Sequence, residues 1–570
     1  MTMRHLRYST ALGVSLLLAV TTPSAVAGTA TPPNAQPPAA PATSAQQYIV
    51  RAPTLEAAKQ AVTSAGGSWY SPLTHLATVG ATLTPQAHAT LAAMQSVSVS
   101  RNWSVEVNGK KDKKKKKEHE QYEGKSRNYA HKKLTDLEVG HTLMVGADTL
   151  HSAGIEGKGV TIAIIDTGLW KDRQKDSDKR ILATVDATKQ PAKIEKEVKD
   201  ENGHGTHLTG IIAADKEADG VSEGIAPEAD LIAIQAFDAN GAAAYMDVIR
   251  AIDWVIGNRD EYNIRVLNLS FSATPRSHYW DDPLNQAVMA AWQAGIVVVA
   301  SAGNTGPDPM TVGVPGNVPY IITVGAVTDA YTPFDTSDDH LTSFSSAGPT
   351  HEGFVKPDLV APGGHVTAWM PYDAKIPRTH AADMKKSEEY FSMSGTSQAA
   401  AVVSGVVALM LEEAPWLTPD TVKCRLMATA RPAIEEGELA YSVLQQGAGL
   451  VNAVDAVASG ADGCANTGLD IQADLTGERH FGGPVGMTGD GAFFVHDGSG
   501  SPLEGNGYTW SQGCTWSQGY TWSQGYTWSQ GYTWSQGYTW SQGYTWSQGL
   551  DGSEDLYSSS AAIDAWVPQE

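Results

Sequence analysis

Cysteine is scarce in this chain, which has three cysteines among 570 residues. Because three thiols cannot all pair within one chain, a fold held together by a framework of disulfides is excluded. Basic residues are also in the minority, with 40 Lys and Arg against 62 Asp and Glu and a formal net charge of −22. Nucleic-acid binders need a basic face for the phosphate backbone, so this imbalance argues against that class.

Long hydrophobic runs are missing as well. The single apolar stretch near the N-terminus, residues 11–20, is about half the ~20 residues that a membrane-spanning helix needs, so an integral membrane protein is not expected. Hydrophobic residues make up 42% of the chain and charged residues 18%. This composition provides enough apolar material for a sizeable core and too little charge for wholesale disorder. The length predicts a soluble protein with about three or four domain-sized units.

The N-terminus has the pattern of a secretory signal at residues 1–27. A basic start at Arg4 and Arg7 precedes the apolar run, and the small residues at 25–27 offer a cleavage site. A linker rich in Pro and Ala follows at 28–46. Export, to the medium or the cell surface, is therefore the expectation.

Two further units precede the main body of the chain. Residues 47–107 alternate between strand-like and helix-like patterns, with Thr54 and Thr84 as predicted helix caps, so a small α+β unit is expected. A lysine-rich stretch follows within 108–133. Such a block of like charges repels itself, which predicts a solvated linker that proteases can reach.

From 134 to 460 the pattern changes to apolar strands that alternate with longer helices. The predicted strands lie at 160–165, 231–236, 266–269, 296–300 and 321–324, and two of the helices at 245–256 and 284–294. Continuous apolar strands that alternate with helices predict an α/β fold with a mostly parallel sheet covered on both faces. Active sites of such folds gather beyond the carboxyl ends of the strands.

Three residues with acid–base or nucleophilic side chains lie at ends of these elements. Asp166 directly follows the first predicted strand. His204, flanked by glycines, precedes an apolar helix predicted at 208–214, and Ser397 precedes another at 399–410. A helix N-terminus favours a developing anion. Asp, His and Ser together are the parts of an activated nucleophile.

With these residues the chain resembles the subtilisin-like serine peptidases, or subtilases, from about 135 to 460. The Asp…His…Ser order is the order of that family. The matching motifs are 165–168, 204–210, 301–304, 344–349, 356–363 and 395–401. The sequence departs from the usual family pattern at Gln398, where Met is common, and at Ala401, where Pro is common. Both departures are expected to tune helix packing.

The resemblance implies a role for each matching residue. Ser397 would attack the scissile carbonyl, His204 would take its proton, and Asp166 would hold the imidazole. Asn304 would donate its side-chain amide to an oxyanion hole. His207 could face a metal together with His204, but no companion motif supports this, so a packed, hydrogen-bonded residue is expected.

The resemblance further implies that a peptide substrate adds as a strand to an edge of the protein. The expected substrate-binding residues are Ser270, Phe271, Ser272, Ser301, Ala302, Gly303, Ala239, Asn240 and Gly241. Ser272 and Ala273 replace two common glycines and are expected to narrow the primary pocket. The 47–107 unit matches the position of an inhibitory propeptide. Subtilases often bind structural calcium, but no calcium loop is recognisable, so neither a metal site nor a cofactor is assigned.

Beyond 460 the chain is acidic and repetitive. Residues 461–507 are an acidic segment, seven copies of the hexapeptide Tyr-Thr-Trp-Ser-Gln-Gly fill 508–549 with Cys514 in place of one Tyr, and 550–570 form a short tail. As strands, the repeats would present an aromatic ladder; as a polar–aromatic segment they would be disordered. Attachment to a cell surface, to a polysaccharide or to other copies of the tail is the expected use.

Taken together, the sequence predicts a secreted serine endopeptidase made as a precursor. Its partners would be polypeptide substrates and its own propeptide. The alternative from another class is a catalytically inactive protein that uses the same fold as a scaffold and the aromatic repeats for adhesion.

Overall fold

The computed structural model describes residues 44–105, 140–170, 179–215, 217–218, 220–381, 390–435, 438–488, 491–496, 562–563 and 567. The predicted signal, most of the Pro/Ala-rich linker, the lysine-rich linker and the hexapeptide repeats lie outside these residues. By its contacts the chain divides into Met1–Ser44 and Ala45–Glu570. All elements below belong to the second of these units.

The first elements form a small α+β structure. They are β1 (Gln46–Arg51), α1 (Leu55–Ser64), β2 (Ser68–Leu73), β3 (Thr78–Leu83), α2 (Pro85–Ala92) and β4 (Ser98–Arg101). The four strands pair antiparallel in the order β2-β3-β1-β4. Thr54 and Thr84 cap the helices as predicted, because their side chains accept hydrogen bonds from the backbone N–H groups of Ala57 and Ala87. Residues of both helices and of the sheet share an apolar core of their own.

The remaining strands and helices build the larger part of the structure. The strands are β5 (Ser104–Val105), β6 (Thr161–Asp166), β7 (Ile181–Asp186), β8 (Lys193–Glu195), β9 (Glu217–Ala218), β10 (Val221–Ser222), β11 (Asp230–Gln235), β12 (Ala243–Ala244), β13 (Ile264–Leu269), β14 (Phe271–Ser272), β15 (Val297–Ser301), β16 (Ile322–Thr328), β17 (His340–Leu341), β18 (Leu359–Pro362), β19 (Val366–Trp369), β20 (Tyr390–Met393), β21 (Ile434–Glu435), β22 (Glu438–Leu439), β23 (Val485–Met487), β24 (Phe493–Val495) and β25 (Ala562–Ile563). The helices are α3 (Gly140–Val145), α4 (Ala147–Ser152), α5 (His204–Ala213), α6 (Tyr245–Gly257), α7 (Pro283–Gln293), α8 (Lys375–Thr379), α9 (Thr396–Glu413), α10 (Pro419–Thr429), α11 (Val443–Gln446), α12 (Ala453–Ala458) and α13 (Ile471–Thr476).

A nine-stranded sheet lies at the centre of this part. Its order is β17-β16-β15-β13-β6-β11-β7-β8, with β18 paired to β16. The inner strands run parallel, and the antiparallel pairs are β7 with β8 and β16 with β17. Every residue of β6, β15 and β16 is buried. Since side chains alternate between the faces of a strand, both faces of the sheet are covered. The predicted mostly parallel α/β fold is therefore confirmed.

Helix α9 has 18 residues and is buried over most of its length. Its residues are buried without interruption from Thr396 to Leu411. It packs against α5 and against strands β13, β15 and β16. Helices α6 and α7 pack against each other. In the described part of the chain, none of the helices has the length and apolar character needed to cross a membrane.

A disulfide joins two of the three cysteines. Cys424 in α10 is bonded to Cys464, 40 residues later, with their Cα atoms 5.1 Å apart. Counting cysteines cannot decide this pairing, because any two of the three could pair. The bond ties α10 to the segment that follows α12.

We expect the disulfide to stabilise the fold by restricting the unfolded chain. For a loop of this size the expected contribution is about 4 kcal/mol. In a Ser397→Ala background, which prevents self-digestion, the Cys424→Ala/Cys464→Ala variant should lose that much free energy of unfolding in urea titrations. Cys514→Ser is the matched control and should leave the stability unchanged. Equal stability of the double variant and its parent would contradict the stabilising role.

Candidate active site

Asp166 is the last residue of β6, in the interior of the parallel sheet, and its side chain is buried. A buried carboxylate costs free energy unless hydrogen bonds replace its hydration. The carboxylate accepts hydrogen bonds from Thr167, through the backbone N–H at 2.8 Å and the hydroxyl at 3.1 Å. The Nδ1 atom of His204 lies 2.8 and 3.0 Å from its two oxygens. This contact brings together two of the three residues predicted to act on a substrate.

His204 is the first residue of α5 and is buried, with 1% of its surface exposed. The predicted helix at 208–214 therefore starts four residues too late. The preceding Gly203 has a left-handed backbone with φ of 107°, which glycine adopts without strain. A Cβ on Gly205 would overlap the carbonyl oxygen of Gly168. Glycine at this position lets the start of α5 approach the loop after β6, and so brings the imidazole to Asp166.

A second buried carboxylate, Asp200, holds these two loops together. It accepts hydrogen bonds from the hydroxyl of Thr167 at 2.8 Å and from the hydroxyl of Thr206 at 2.7 Å. It also accepts from the backbone N–H groups of Asn202, Gly203 and Thr206. Burial raises the pKa of Asp200, and the hydrogen bonds oppose that rise. Sequence reasoning missed Asp200, although an Asp two residues before an Asn-Gly pair is a turn signal just ahead of the histidine.

Ser397 is the second residue of α9, and 1% of its surface is exposed. It therefore lies near a helix start, as predicted. Its hydroxyl donates to the carbonyl oxygen of Ser270 at 3.0 Å. The hydroxyl of Ser270 donates in return to the carbonyl oxygen of Ser397 at 3.0 Å. The chain just after β13 is thus joined to the start of α9. The positive end of the helix dipole favours negative charge at this position.

The side-chain amide of Asn304 has a fixed orientation. Its oxygen accepts hydrogen bonds from the backbone N–H and the hydroxyl of Thr396, both at 2.9 Å. Its Nδ2 is buried and has no hydrogen-bond partner among the described residues. That atom lies 3.1 Å from the position that a Cβ on Gly395 would take, at the start of α9. A buried N–H donor without a partner costs free energy, which distinguishes this amide from its hydrogen-bonded neighbours.

Gln398 lies beside this donor. Its side chain is 1% exposed, and its Nε2 also has no partner within the described chain. Its Oε1 is 2.7 Å from the same Cβ position on Gly395. The residue that replaces the common Met therefore places a polar amide next to the serine.

His207 is fully buried and packed, as predicted. Its Nε2 lies 3.0 Å from the carbonyl oxygen of Phe391. Burial lowers the pKa of His207 to about 3, so the ring is neutral at pH 7. Among the residues that the structure describes, no group of three His, Cys, Asp or Glu could hold a metal ion.

The first predicted substrate edge follows β13 directly. After Ser270, Phe271 and Ser272 form the short strand β14. The neighbouring segment 301–303 lies alongside, because the hydroxyl of Ser301 donates to the carbonyl oxygen of Phe271 at 3.1 Å. Ala302 is fully buried, and its N–H donates to the carbonyl oxygen of Val324.

The side chain of Ser272 fills a space between two glycines. Its Oγ is 2.9 Å from where a Cβ on Gly303 would lie, and a Cβ on Gly313 would overlap it. Because Gly303 precedes Asn304, this space is next to the unpartnered amide. Gly313 was not singled out in the sequence.

The second predicted edge, Ala239, Asn240 and Gly241, forms a turn. The carboxylate of Asp238 accepts from the N–H of Asn240 at 2.8 Å, and its carbonyl oxygen accepts from the N–H of Gly241 at 2.8 Å. Strand pairing starts two residues later, where β12 pairs antiparallel with β5. The carbonyl oxygen of Ala239 accepts from the side chain of Asn202 at 3.0 Å, which joins the turn to the loop before His204.

Comparison with known proteins identifies the family of this chain. A model of the Subtilase family matches residues 157–458. The chain is 38% identical over 313 residues to the serine protease AprX of Bacillus subtilis, covering 53% of this chain and 67% of the relative. It is 32% identical over 289 residues to subtilisin DY of Bacillus licheniformis, covering 50% and 89%.

A solved structure agrees in fold. Fervidolysin from Fervidobacterium pennivorans, a keratinolytic enzyme related to subtilisin, matches with a TM-score of 0.56 at 21% identity. The match covers 73% of this chain and 61% of fervidolysin. With the family match over more than half of its length, the chain belongs to the subtilase family of serine endopeptidases.

Proposed function

We propose that this protein hydrolyses peptide bonds with Asp166, His204 and Ser397 through an acyl-enzyme. The observation that carries the proposal is the buried contact between Asp166 and Nδ1 of His204, 2.8 Å long, at the end of the parallel strand β6. A carboxylate at Nδ1 keeps the proton on that nitrogen, so Nε2 is the ring nitrogen that accepts the second proton.

In this mechanism Ser397 Oγ forms a bond to the scissile carbonyl carbon while its proton passes to His204. The proton then goes to the leaving amine as the peptide C–N bond breaks, and water releases the acyl group by the reverse proton route. Asp166 stabilises the imidazolium that forms in between. The steps need no metal or cofactor.

The oxyanion of the tetrahedral intermediate would receive hydrogen bonds from Asn304 Nδ2 and from the backbone N–H of Ser397. Support comes from the amide orientation, since Thr396 holds the oxygen end at 2.9 Å and leaves the N–H end without a partner in the described part of the site. A donor fixed before the reaction needs no reorganisation when the charge develops.

Labelling of the serine tests this function. A fluorophosphonate should label the protein stoichiometrically, Ser397→Ala should remain unlabelled, and peptide hydrolysis should disappear while the melting temperature stays near that of the parent. The measurement is intact-mass spectrometry together with a peptidase assay. The rate should also fall in acid, because an imidazolium cannot take the serine proton. Hydrolysis at the parental rate by Ser397→Ala would overturn the assignment.

Removal of the Asn304 amide should destabilise the transition state of the reaction relative to the bound substrate. Asn304→Ala is expected to lower kcat by about 10²–10³-fold, the size known for the oxyanion donor of subtilisin, with little change in KM. Because the variant also removes the amide oxygen that accepts hydrogen bonds from the N–H and the hydroxyl of Thr396, it should lose roughly 1–3 kcal/mol of stability as well. Steady-state kinetics and thermal melts check both statements. An effect confined to KM would place Asn304 in substrate binding instead.

We also propose that the N-terminal α+β unit is an inhibitory propeptide. It is supported by contacts with α6, where the carboxylate of Asp253 accepts from the N–H groups of His75 and Leu76 at 2.8 and 3.1 Å. The guanidinium of Arg250 donates to the hydroxyl of Ser71 at 2.7 Å. At the end of the unit, β5 pairs with β12 beside the predicted substrate edge. Cleavage in the lysine-rich linker would release it.

Export and surface attachment complete the proposal. The N-terminal pattern of a basic start, apolar run and small residues supports export. The Cys424–Cys464 disulfide fits an oxidising compartment. The aromatic repeats at 508–549 would attach the enzyme to a cell surface, a polysaccharide or other copies of the tail.

For the substrate we propose a preference for small side chains before the scissile bond. The carbonyl of that residue would point at Asn304, so its side chain would lie next to Gly303. The hydroxymethyl group of Ser272 takes up space there, against Gly303 and Gly313.

Enlarging this pocket should change the preference. Ser272→Gly is expected to raise kcat/KM for a peptide with Phe before the scissile bond, relative to one with Ala, by roughly tenfold, because a few atoms of pocket space are worth that much. The exposed Ser337 gives the control Ser337→Gly, which should leave the ratio unchanged. The ratio of kcat/KM for the two peptides is measured with matched fluorogenic substrates. An unaltered ratio in Ser272→Gly would show that another residue limits the pocket.

A further inference from the structure

The edge strand β14 already has a partner from the far end of the chain. Ala562 and Ile563, which form β25, pair antiparallel with it, Phe271 opposite Ile563 and Ser272 opposite Ala562. The two segments are about 290 residues apart in sequence, so the pairing is a tertiary contact and not a local hairpin.

The position of this pairing relates it to the reaction. β14 begins one residue after Ser270, whose carbonyl oxygen accepts the hydrogen bond from Ser397 Oγ at 3.0 Å. Ser272, which lies opposite Ala562, is the residue whose side chain fills the space beside Gly303. β25 thus lies on the same edge that a peptide substrate would use to reach Ser397. The backbone groups of one strand edge can bind one added strand at a time.

A second contact holds the same part of the chain. Val567, four residues after β25, is 7% exposed and belongs to the main apolar core of the structure. Burial of an apolar side chain in this core stabilises the bound state of the segment. Backbone pairing and an apolar anchor are the two components of recognition by strand addition.

The opposite edge is held by a different segment. β12 pairs with β5, at the end of the N-terminal unit. Removal of the N-terminal unit would free β12, but it would leave β25 on β14. The segments that pair with the two edges, β5 and β25, are therefore removed in separate events.

We propose that the C-terminal segment with Ala562, Ile563 and Val567 is a second, intramolecular inhibitory strand that competes with substrate for β14. The inference rests on the proposed peptidase function and adds its regulation. The enzyme reaches full activity only when this segment is displaced or removed after the N-terminal unit has left. Because the inhibitor is part of the same chain, dilution of the protein does not relieve it.

Truncation tests the proposal on the mature, secreted enzyme, with active sites counted by the fluorophosphonate. Removal of residues 550–570 should raise kcat/KM on a short peptide by roughly tenfold or more, chiefly through a lower KM, because the inhibitor competes with substrate. The control is deletion of 508–549, which keeps β25 and should leave kcat/KM within about threefold. Labelled enzyme with an unchanged rate after truncation would overturn the inhibitory strand alone, whereas absence of labelling would overturn the proposed function itself.

A point substitution separates strand pairing from other effects of the tail. Ile563→Pro removes a backbone N–H and fits a paired strand poorly, so it should activate the full-length enzyme in the same direction as truncation. Ser559→Pro, in the same tail but before β25, is the matched control and should not. Equal activation by both prolines would contradict pairing through β25.

The isolated C-terminal segment should also inhibit the truncated enzyme when it is added as a peptide. A synthetic peptide of residues 556–570 is expected to inhibit the truncated enzyme competitively, while a peptide of the same composition in scrambled order does not. A peptide that the enzyme cleaves without being inhibited, or that inhibits no better than the scrambled control, would refute the proposal.

Discussion

The burial of the Asp166 carboxylate is the constraint from which the rest of the site follows. An ionised carboxylate at the end of a covered parallel strand is stable only when donors replace its hydration. Thr167 supplies two donors, and His204 Nδ1 lies within 3.0 Å of both oxygens. The buried carboxylate and the imidazole therefore hold each other in place.

The same logic explains the surroundings of the pair. Asp200 is a second buried carboxylate, and its donors come from the loop after β6 and from the start of α5. It fixes the distance between the elements that carry Asp166 and His204 without needing to touch a substrate. Asn304 shows the opposite case, since its Nδ2 is buried and left without a partner in the described structure. The fold thus provides hydrogen-bond donors for both buried acids and leaves the Asn304 amide without an acceptor in the described structure.

The sequence predicts those parts of this arrangement that depend on local signals. The strands of the parallel sheet are continuous apolar runs, and the residues after them stand out because they are polar. The predicted start of α5 is too late, because glycine is unfavourable in a helix, although the close approach to Gly168 requires glycine at 205. Most donors to Asp200 are local, but its hydrogen bond with Thr167 forms only on folding. The disulfide partner of Cys424 and the pairing of β25 are likewise tertiary contacts that no short window contains. The turn at Ala239–Gly241 is local, since its hydrogen bonds lie within residues 238–242.

A strand edge is a binding site with little intrinsic selectivity, because its backbone N–H and C=O groups accept any extended segment. In a peptidase that binds substrate in this way, strands of its own chain can bind the same edge, because they are present at high effective concentration. In this protein β12 binds a strand from the N-terminal unit and β14 binds one from the C-terminal end. Under the proposed function such occupants would protect the chain while it folds, since an edge that is already paired cannot bind a neighbouring copy. Selectivity for substrates would then come from side-chain pockets such as the narrow space at Ser272, next to the Asn304 amide.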